Sequence, residues 1–527
     1  MLFDRYLAWL LATVLYAVRA SLSQQHAPTA SIDAGLVIGT TTSVSGAAAT
    51  VNKFLGVPFA ASPTRFAPPV RPTPWSVPLQ ATAYGPACPQ QFSYPEVARE
   101  LQMAWFNTPP PPAGESEDCL NLNIYVPGTP GGNKTVMAWI YGGGLAFGAN
   151  SLQIYDGADF AANQDVILVV LNYRTNILGF PAAPQLPLTE RNLGFLDQRM
   201  ALDWIQRNIA AFGGDPQKVT IFGQSAGGRS VDILVTSMPH NPPFRAAIME
   251  SGVANYNFPT GDLSGPWNQT VEALNCTHAT DLVKCMRKVD LNTMMSTIEH
   301  LSIDFEYTLD NVTALAYSEA ARESGHIAHV PILIGTVAND GLLFVLGDND
   351  TQAFLEDSIP DQPALYPAIL DAYAIGSPGI GSVQDQISAI ETEVRFQCPS
   401  RVVARDSRKL GLPTWRYYYN VSFPNMELFP GSGVYHSSEV EIVYGTYPRA
   451  NATSLEVQTS KYMQRSWAMF AKTPMAGPGW KQVPNVAAIG SPGKDMEVNV
   501  QDAVIDKRCG LYTSYYTELG TIQSNVN

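Results

Sequence analysis

The chain has 527 residues, of which 46% are hydrophobic and 15% are charged, a composition that suits a large folded protein with a sizeable core. Its formal net charge is −14, and no cluster of lysines and arginines interrupts the acidic balance. Because such a surface repels phosphate backbones, the composition argues against nucleic acid as a partner.

The N-terminus has the pattern of a secretory signal. Residues 7–18 form an apolar run that follows Arg5 and is too short to span a bilayer. Small residues favour cleavage after Ala20, with residues 21–23 as a second candidate, and an uncleaved interfacial anchor is the alternative. We expect residues 1–20 to be a signal peptide and residues 21–527 to form one domain that is secreted or lumenal, with no membrane span.

Two further features fit an exported chain. The six cysteines are an even number, which in an exported protein predicts three disulfides. Seven Asn-x-Ser/Thr sequences predict N-glycosylation sites, at Asn133, Asn268, Asn275, Asn311, Asn349, Asn420 and Asn451.

The hydrophobic pattern predicts alternating strands and helices. Residues 136–141 and 166–171 are continuous apolar runs, typical of strands in a parallel sheet that is covered on both faces. Residues 196–211 have the spacing of a helix, which residues 213–216 should end. Further strands are predicted at residues 219–222, 246–249, 330–335 and 414–419, with a helix over residues 228–235. The order predicts a doubly wound, mostly parallel α/β fold, in which residues 251–330 supply a helical lid or pocket wall.

Between the strand at 219–222 and the following helix lies Gly-Gln-Ser-Ala-Gly, residues 223–227. Gly-x-Ser-x-Gly alone is weak evidence, since roughly one chain in five of this composition would carry it by chance. Here the flanking strand and helix favour a sharp turn that exposes Ser225, and the two glycines leave room for the neighbouring backbone. Because an unassisted serine is a poor nucleophile, the hypothesis also requires a base.

Three consecutive glycines follow the strand at 136–141. Their amides could point at one spot, so those of Gly143 and Gly144, with that of Ala226, are the expected donors of an oxyanion hole. A flexible turn is the alternative interpretation.

The base must be one of seven histidines. The hydrolase order of serine, acid and histidine favours His436, which lies in a small-residue loop late in the chain, and a loop histidine without a role is the alternative. Asp340 follows the strand at 330–335 and would orient the imidazole, although Asn-Asp-Gly at 339–341 is equally typical of a turn. His326 and His329 form His-x-x-His without an evident third ligand, so we expect no metal site.

Several motifs together resemble the type-B carboxylesterase family, which includes cholinesterases, fungal lipases and secreted esterases. They are SEDCLNLN at 116–123, YGGG at 141–144, LNYR at 171–174, NLGFLDQR at 192–199, GGDP at 213–216, GQSAGG at 223–228 and YHSSE at 435–439. The resemblance runs from about residue 35 to residue 516. It implies the α/β-hydrolase fold and the hydrolysis of small-molecule esters through an acyl-enzyme, without a cofactor.

Position by position, the resemblance implies that Ser225 is the nucleophile, His436 the base and Asp340 the acid, where most members have glutamate. It also implies the disulfides Cys88–Cys119, Cys276–Cys285 and Cys398–Cys509.

Two departures from the cholinesterase pattern bear on the substrate. Gln224 is neutral where cholinesterases have glutamate directly before the serine. Trp105 lies in the loop of the first disulfide, as does the tryptophan that holds ammonium in cholinesterases, but its spacing to Cys119 is longer and includes Pro109–Pro112. We interpret it as a pocket-wall or packed aromatic and expect neutral carboxylic esters as substrates.

Two alternatives stay open. The enzyme could tailor one small molecule in a secondary-metabolite pathway, because the acyl and alcohol groups depend on loops that the pattern does not specify. A catalytically inactive, cholinesterase-like binding protein is the alternative of another class, although such proteins usually lack a residue of the triad and this chain has all three. The pattern implies no particular oligomeric state.

Overall fold

The computed structural model describes residues 27–254, 263–360, 362–490 and 496–516. The predicted signal, residues 1–20, lies outside them, and the division into a leader and one domain stays a prediction. In the part of the chain that is described, no helix combines the length and hydrophobicity needed to cross a bilayer.

The described residues form two sheets. The strands are β1 (Thr29–Ile32), β2 (Gly35–Ile38), β3 (Thr40–Ser43), β4 (Thr50–Pro58), β5 (Leu79–Gln80), β6 (Asn121–Pro127), β7 (Lys134–Ile140), β8 (Ile167–Leu171), β9 (Gly214–Gln224), β10 (Ala246–Glu250), β11 (Ile332–Val337), β12 (Thr414–Tyr419), β13 (Asn485–Ile489) and β14 (Glu497–Gln501). The large sheet has the order β14-β13-β12-β11-β10-β9-β7-β8-β6-β4-β3, and β1, β2 and β5 form a small second sheet.

The centre of the large sheet is parallel. All pairings from β8 through β7, β9, β10, β11 and β12 to β13 are parallel, whereas β6, β4, β3 and β14 pair antiparallel at the two ends. Every residue of β7, β8, β10 and β11 is buried, as their continuous apolar sequences predict. The predicted doubly wound, mostly parallel α/β-hydrolase fold is confirmed.

Helices connect and cover these strands. They are α1 (Glu96–Trp105), α2 (Ala158–Gln164), α3 (Asn176–Gly179), α4 (Leu193–Asn208), α5 (Ala226–Ser237), α6 (Gly265–Ala273), α7 (Leu282–Met286), α8 (Leu291–His300), α9 (Ser318–Glu323), α10 (Thr351–Ser358), α11 (Tyr366–Ala372), α12 (Val383–Glu391), α13 (Cys398–Lys409), α14 (Ser438–Tyr444), α15 (Ser454–Lys472) and α16 (Asp502–Ile505). Short 3₁₀ turns lie at Gln153–Tyr155, Leu188–Glu190, Ile209–Phe212, Leu342–Phe344, Pro363–Leu365 and Cys509–Tyr512, and a π-helical turn at Thr392–Gln397 joins α12 to α13.

The predicted elements occur with shifted boundaries. The helix predicted over residues 196–211 is α4 followed by a 3₁₀ turn, and Gly213 ends it with a left-handed φ of 83°. Residues 214–216, expected to be a loop, begin β9, and the helix after Ser225 begins at Ala226 instead of residue 228. Helices α6–α9 lie between β10 and β11, where the helical insertion was predicted.

The three cysteine pairs that the family resemblance implies are present: Cys88–Cys119, Cys276–Cys285 and Cys398–Cys509. Of the seven predicted glycosylation asparagines, Asn420 is half-buried directly after β12 and the other six are exposed. Glycosylation itself stays a prediction, and Asn420 is the position least open to a glycan.

A buried ion pair joins two of the family-like motifs. Arg174 donates to the carboxylate of Asp197 from Nε at 2.8 Å and from Nη2 at 2.7 Å, and its backbone amide donates at 3.0 Å. Both side chains are buried. Burial, only partly offset by the guanidinium of Arg174, raises the pKa of Asp197. The pair ties the segment after β8 to α4.

We predict that Arg174→Met lowers the free energy of unfolding by about 3–5 kcal/mol, because it leaves the Asp197 carboxylate buried without its partner. Arg71→Met is the matched control, since the Arg71–Asp203 pair is exposed and should contribute no more than about 1 kcal/mol. Urea unfolding followed by tryptophan fluorescence measures both. Equal losses in the two variants would contradict the prediction.

Candidate active site

Ser225 lies in the sharp turn between β9 and α5. Its backbone has φ 57° and ψ −125°, a strained conformation for a residue with a side chain. The Ser225 amide donates to the carbonyl oxygen of Glu250 at 2.8 Å, which anchors the turn to β10. A β-carbon at Gly227 would lie 2.0 Å from the carbonyl oxygen of Ile140, and one at Gly223 2.5 Å from the same atom. Both glycines of the motif are therefore required by close backbone packing against β7.

His436 and Asp340 form a buried pair near this turn. His436 Nδ1 donates to Asp340 Oδ1 at 2.8 Å, and neither side chain is more than 1% exposed. The other carboxylate oxygen of Asp340 accepts from Ser251 Oγ at 2.8 Å and from the Val337 amide at 3.0 Å. The aspartate thus reaches the imidazole although it is shorter than the family's usual glutamate. With the proton on Nδ1, the Nε2 atom of His436 is an acceptor.

The side chain of Gln224 forms a hydrogen bond with this acceptor, His436 Nε2. Its Nε2 lies 3.1 Å from His436 Nε2, and both side chains are buried. Since His436 Nε2 carries no proton in this tautomer, the Gln224 amide donates to it. The sequence indicated Gln224 only through its lack of charge, and the structure adds a direct contact with the imidazole.

The three glycines after β7, residues 142–144, form a loop, the glycine loop, that lies close to Ser225 and His436. Gly143 and Gly144 have left-handed φ values of 93° and 63°, and a β-carbon at Gly143 would lie 2.3 Å from the carbonyl oxygen of Phe147. Within the described residues, neither of the two glycine amides donates to a protein acceptor. Free amides beside Ser225 and Ala226 are the arrangement that an oxyanion needs.

A cavity of about 550 Å³ brings these groups together. Ser225, Ala226, the glycine loop and His436 all line it. Around the imidazole its wall is aromatic: the ring centroids of Phe344, Phe396 and Phe106 lie 5.0, 4.9 and 6.5 Å from that of His436. Trp105, at the end of α1, is half-buried and also lines the cavity. Most of the wall around the imidazole is thus apolar.

The His-x-x-His pair lies apart from this cavity. His326 stacks edge-on with His240 at 5.6 Å, and His329 Nε2 is 2.8 Å from the carbonyl oxygen of Gly325. No group of three or more metal-ligating side chains was found among the residues described.

Several residues at the site have only weak signals in the sequence. Ser251 directly follows β10, and the carboxyl ends of neighbouring parallel strands meet at one edge, so its position could have been predicted. Phe344 and Phe396 belong to segments far apart in the chain, and nothing in their pattern joins them to His436. Arg229 is a charged residue within the small and apolar run of α5.

Fold and site define the protein as a hydrolase of the α/β-hydrolase fold. The profile of the carboxylesterase family matches residues 26–502, so the chain belongs to the carboxylesterase family and is a carboxylic-ester hydrolase. Among its relatives, acetylcholinesterase of Bungarus fasciatus is 33% identical over 80% of this chain and 75% of its own. Para-nitrobenzyl esterase of Bacillus subtilis is 32% identical over 80% of this chain and 86% of its own. Liver carboxylesterase 1 of Mus musculus is 32% identical over 88% of this chain and 89% of its own.

Two carboxyl groups are buried beneath the site. Glu250, whose backbone holds the Ser225 amide, accepts a hydrogen bond from Trp467 Nε1 at 2.8 Å. Burial raises the pKa of Glu250 to about 8. Burial, followed by the proximity of Glu250 and Asp340, raises the pKa of Glu439 well above its usual range.

These shifts predict that stability falls with rising pH. Because the folded state holds the Glu250 proton up to about pH 8, unfolding releases a proton between about pH 4.5 and that value, and the free energy of unfolding declines across this window. Glu250→Gln keeps an acceptor for Trp467 and removes the titration. We expect it to reduce the loss of unfolding free energy between pH 5 and pH 8 by about 3 kcal/mol.

Urea unfolding at both pH values measures this change, with the exposed Glu100→Gln as the control. An identical pH slope in wild type and Glu250→Gln would contradict the prediction.

Proposed function

We propose that the protein hydrolyses neutral carboxylic esters through an acyl-enzyme on Ser225. The observation that carries the proposal is the convergence of Ser225, the glycine-loop amides and an imidazole oriented by Asp340 around one cavity. The three disulfides and the exposed sequons support a location in or beyond the secretory pathway.

In the proposed mechanism, Ser225 Oγ attacks the ester carbonyl carbon while His436 Nε2 takes its proton. For this step His436 Nε2 must exchange the Gln224 amide for the serine hydroxyl. The amides of Gly143, Gly144 and Ala226 stabilise the oxyanion, and Asp340 stabilises the imidazolium.

His436 then returns the proton to the leaving alcohol oxygen, and the acyl group remains on Ser225. Water, deprotonated by the same imidazole, attacks the acyl carbon. The bond from the acyl carbon to Ser225 Oγ breaks, His436 returns the proton to Ser225 Oγ, and the acid is released. The cycle needs no group beyond the protein and water.

We predict that Ser225→Ala lowers kcat for p-nitrophenyl butyrate by at least about 10³-fold, because the variant forms no acyl-enzyme. Ser324→Ala, at the end of α9 and outside the cavity, is the control and should retain wild-type turnover. The measurements are steady-state kinetics and labelling by a fluorophosphonate probe.

Turnover retained in Ser225→Ala would contradict the mechanism. Absence of both labelling and turnover in the wild type would instead favour the inactive binding protein.

The neutral side chain of Gln224 predicts a preference for uncharged esters. We compare acetylcholine with 3,3-dimethylbutyl acetate, which has the same shape without the charge, and expect a higher kcat/KM for the neutral ester. Gln224→Glu should shift the ratio toward acetylcholine by about tenfold, since it places a carboxylate beside the reacting group.

Gln217→Glu, which adds the same charge at an exposed position of β9, is the control and should leave the ratio unchanged. A wild-type enzyme that prefers acetylcholine tenfold would refute the expectation.

A further inference from the structure

A charged side chain lines the cavity one helical turn beyond Ser225. Arg229 lies in α5, and its amide donates to the carbonyl oxygen of Ser225 at 2.9 Å. Residues four apart share one face of a helix, and their side chains incline toward its N-terminus. The guanidinium of Arg229 is therefore directed toward the end of the helix at which Ser225 lies, and both residues line the cavity.

The guanidinium of Arg229 makes few polar contacts with the rest of the protein. Arg229 Nη1 lies 3.5 Å from Glu306 Oε2, longer than an ordinary hydrogen bond, and the guanidinium covers the ring of Tyr307 at 5.3 Å. In the described part of the chain it has no shorter polar contact, and Glu306 Oε2 has no hydrogen-bond partner. Only 14% of the Arg229 side chain is exposed, so few waters replace those partners, whereas 40% of the Glu306 side chain is exposed. The pair therefore presents donors and an acceptor to a molecule in the cavity.

The charges of this wall favour a neutral polar group. Glu306 is the carboxylate paired with Arg229, so these two side chains together carry one charge of each sign, and Asp304 also lines the cavity. A carboxylate on the substrate would be repelled by Glu306, whereas an ammonium would be repelled by the guanidinium of Arg229. A hydroxyl accepts from Arg229 and donates to Glu306, and so satisfies both members of the pair.

The position of His436 indicates which half of the ester meets this wall. The imidazole must protonate the leaving oxygen, so the alcohol lies on its side of the cavity. There Phe344 and Phe396 pack on the ring, and Arg395, which lies 4.6 Å over Phe344, is paired with Glu391 at 3.0 Å. Arg229 and Glu306 make no contact with the imidazole ring. The polar wall formed by Arg229 and Glu306 therefore faces the acyl chain. The aromatic wall formed by Phe344 and Phe396 faces the alcohol.

We propose that Arg229 and Glu306 form a subsite that selects esters with a hydroxyl group on the acyl chain, while the aromatic wall takes an apolar or aromatic alcohol. The subsite rests on the proposed function, because it assumes that the acyl group is carried by Ser225.

Two esters with one leaving group test the proposal. p-Nitrophenyl 3-hydroxybutyrate and p-nitrophenyl 3-methylbutyrate differ only by a hydroxyl in place of a methyl group. We expect kcat/KM of the wild type to favour the hydroxy ester by at least about tenfold, because the methyl group of the analogue can neither accept from Arg229 nor donate to Glu306. Arg229→Met/Glu306→Met removes both charges together, and the ratio should fall to about one. Glu306→Met alone should lower the same ratio and serves as the second variant.

The outcomes separate the subsite from the reaction. A wild-type ratio of one or less, or a ratio unchanged in both variants, overturns the subsite while hydrolysis itself stands. Faster turnover of p-nitrophenyl hemisuccinate than of the hydroxy ester also overturns it, since Arg229 would then bind an anion. If no ester is turned over and Ser225 is not labelled by a fluorophosphonate, the proposed function fails and the subsite fails with it.

Discussion

The strained backbone at Ser225 is the constraint on which the rest of the site depends. A residue with a side chain does not adopt φ 57° and ψ −125° without support, and here the support comes from three strands. β9 ends directly before Ser225, β10 holds its amide through the Glu250 carbonyl, and β7 approaches so closely that residues 223 and 227 must be glycine. The conformation of the turn therefore depends on the central parallel strands β7, β9 and β10. The cavity opens at the ends of these strands.

The same edge of the sheet places Asp340, the proposed acid. Asp340 follows β11, and Ser251 follows β10, so the two side chains meet across neighbouring strands and hold the carboxylate toward His436. Glu250, the last residue of β10, is buried, and Gln224, the last residue of β9, contacts the imidazole. The polar groups near the imidazole are thus positioned by strand ends, whereas the aromatic wall comes from the loop after α1 and from segments between β11 and β12. This division lets loops change the substrate preference while the strand ends keep the chemistry constant.

Much of the fold was predictable from the sequence, for a physical reason. The strands at the centre of the sheet are buried on both faces, so their apolar runs are continuous, as in residues 136–141 and 166–171. The antiparallel strands β3, β4 and β14 were not predicted, because they are half-exposed and include threonine, asparagine and glutamine. The buried strands β6 and β13 were not predicted either, because asparagines interrupt or shorten their apolar runs. Residues 214–216 were misassigned because glycine and proline usually interrupt a strand, whereas here they are the first residues of β9, a central strand of the sheet.

The sequence by itself determined the order of the core elements, the serine motif and the candidates Asp340 and His436, since local spacing and chain order suffice for these. Only the tertiary structure decided that Asp340 reaches the imidazole, that Gln224 donates to it, and that Arg229 shares a cavity wall with Glu306. Residues 229 and 306 are far apart in the chain, and such contacts depend on how loops fold over the sheet. The hydrophobic periodicity of the sequence indicates which face of a helix or strand is buried. It does not indicate which distant side chain packs against that face.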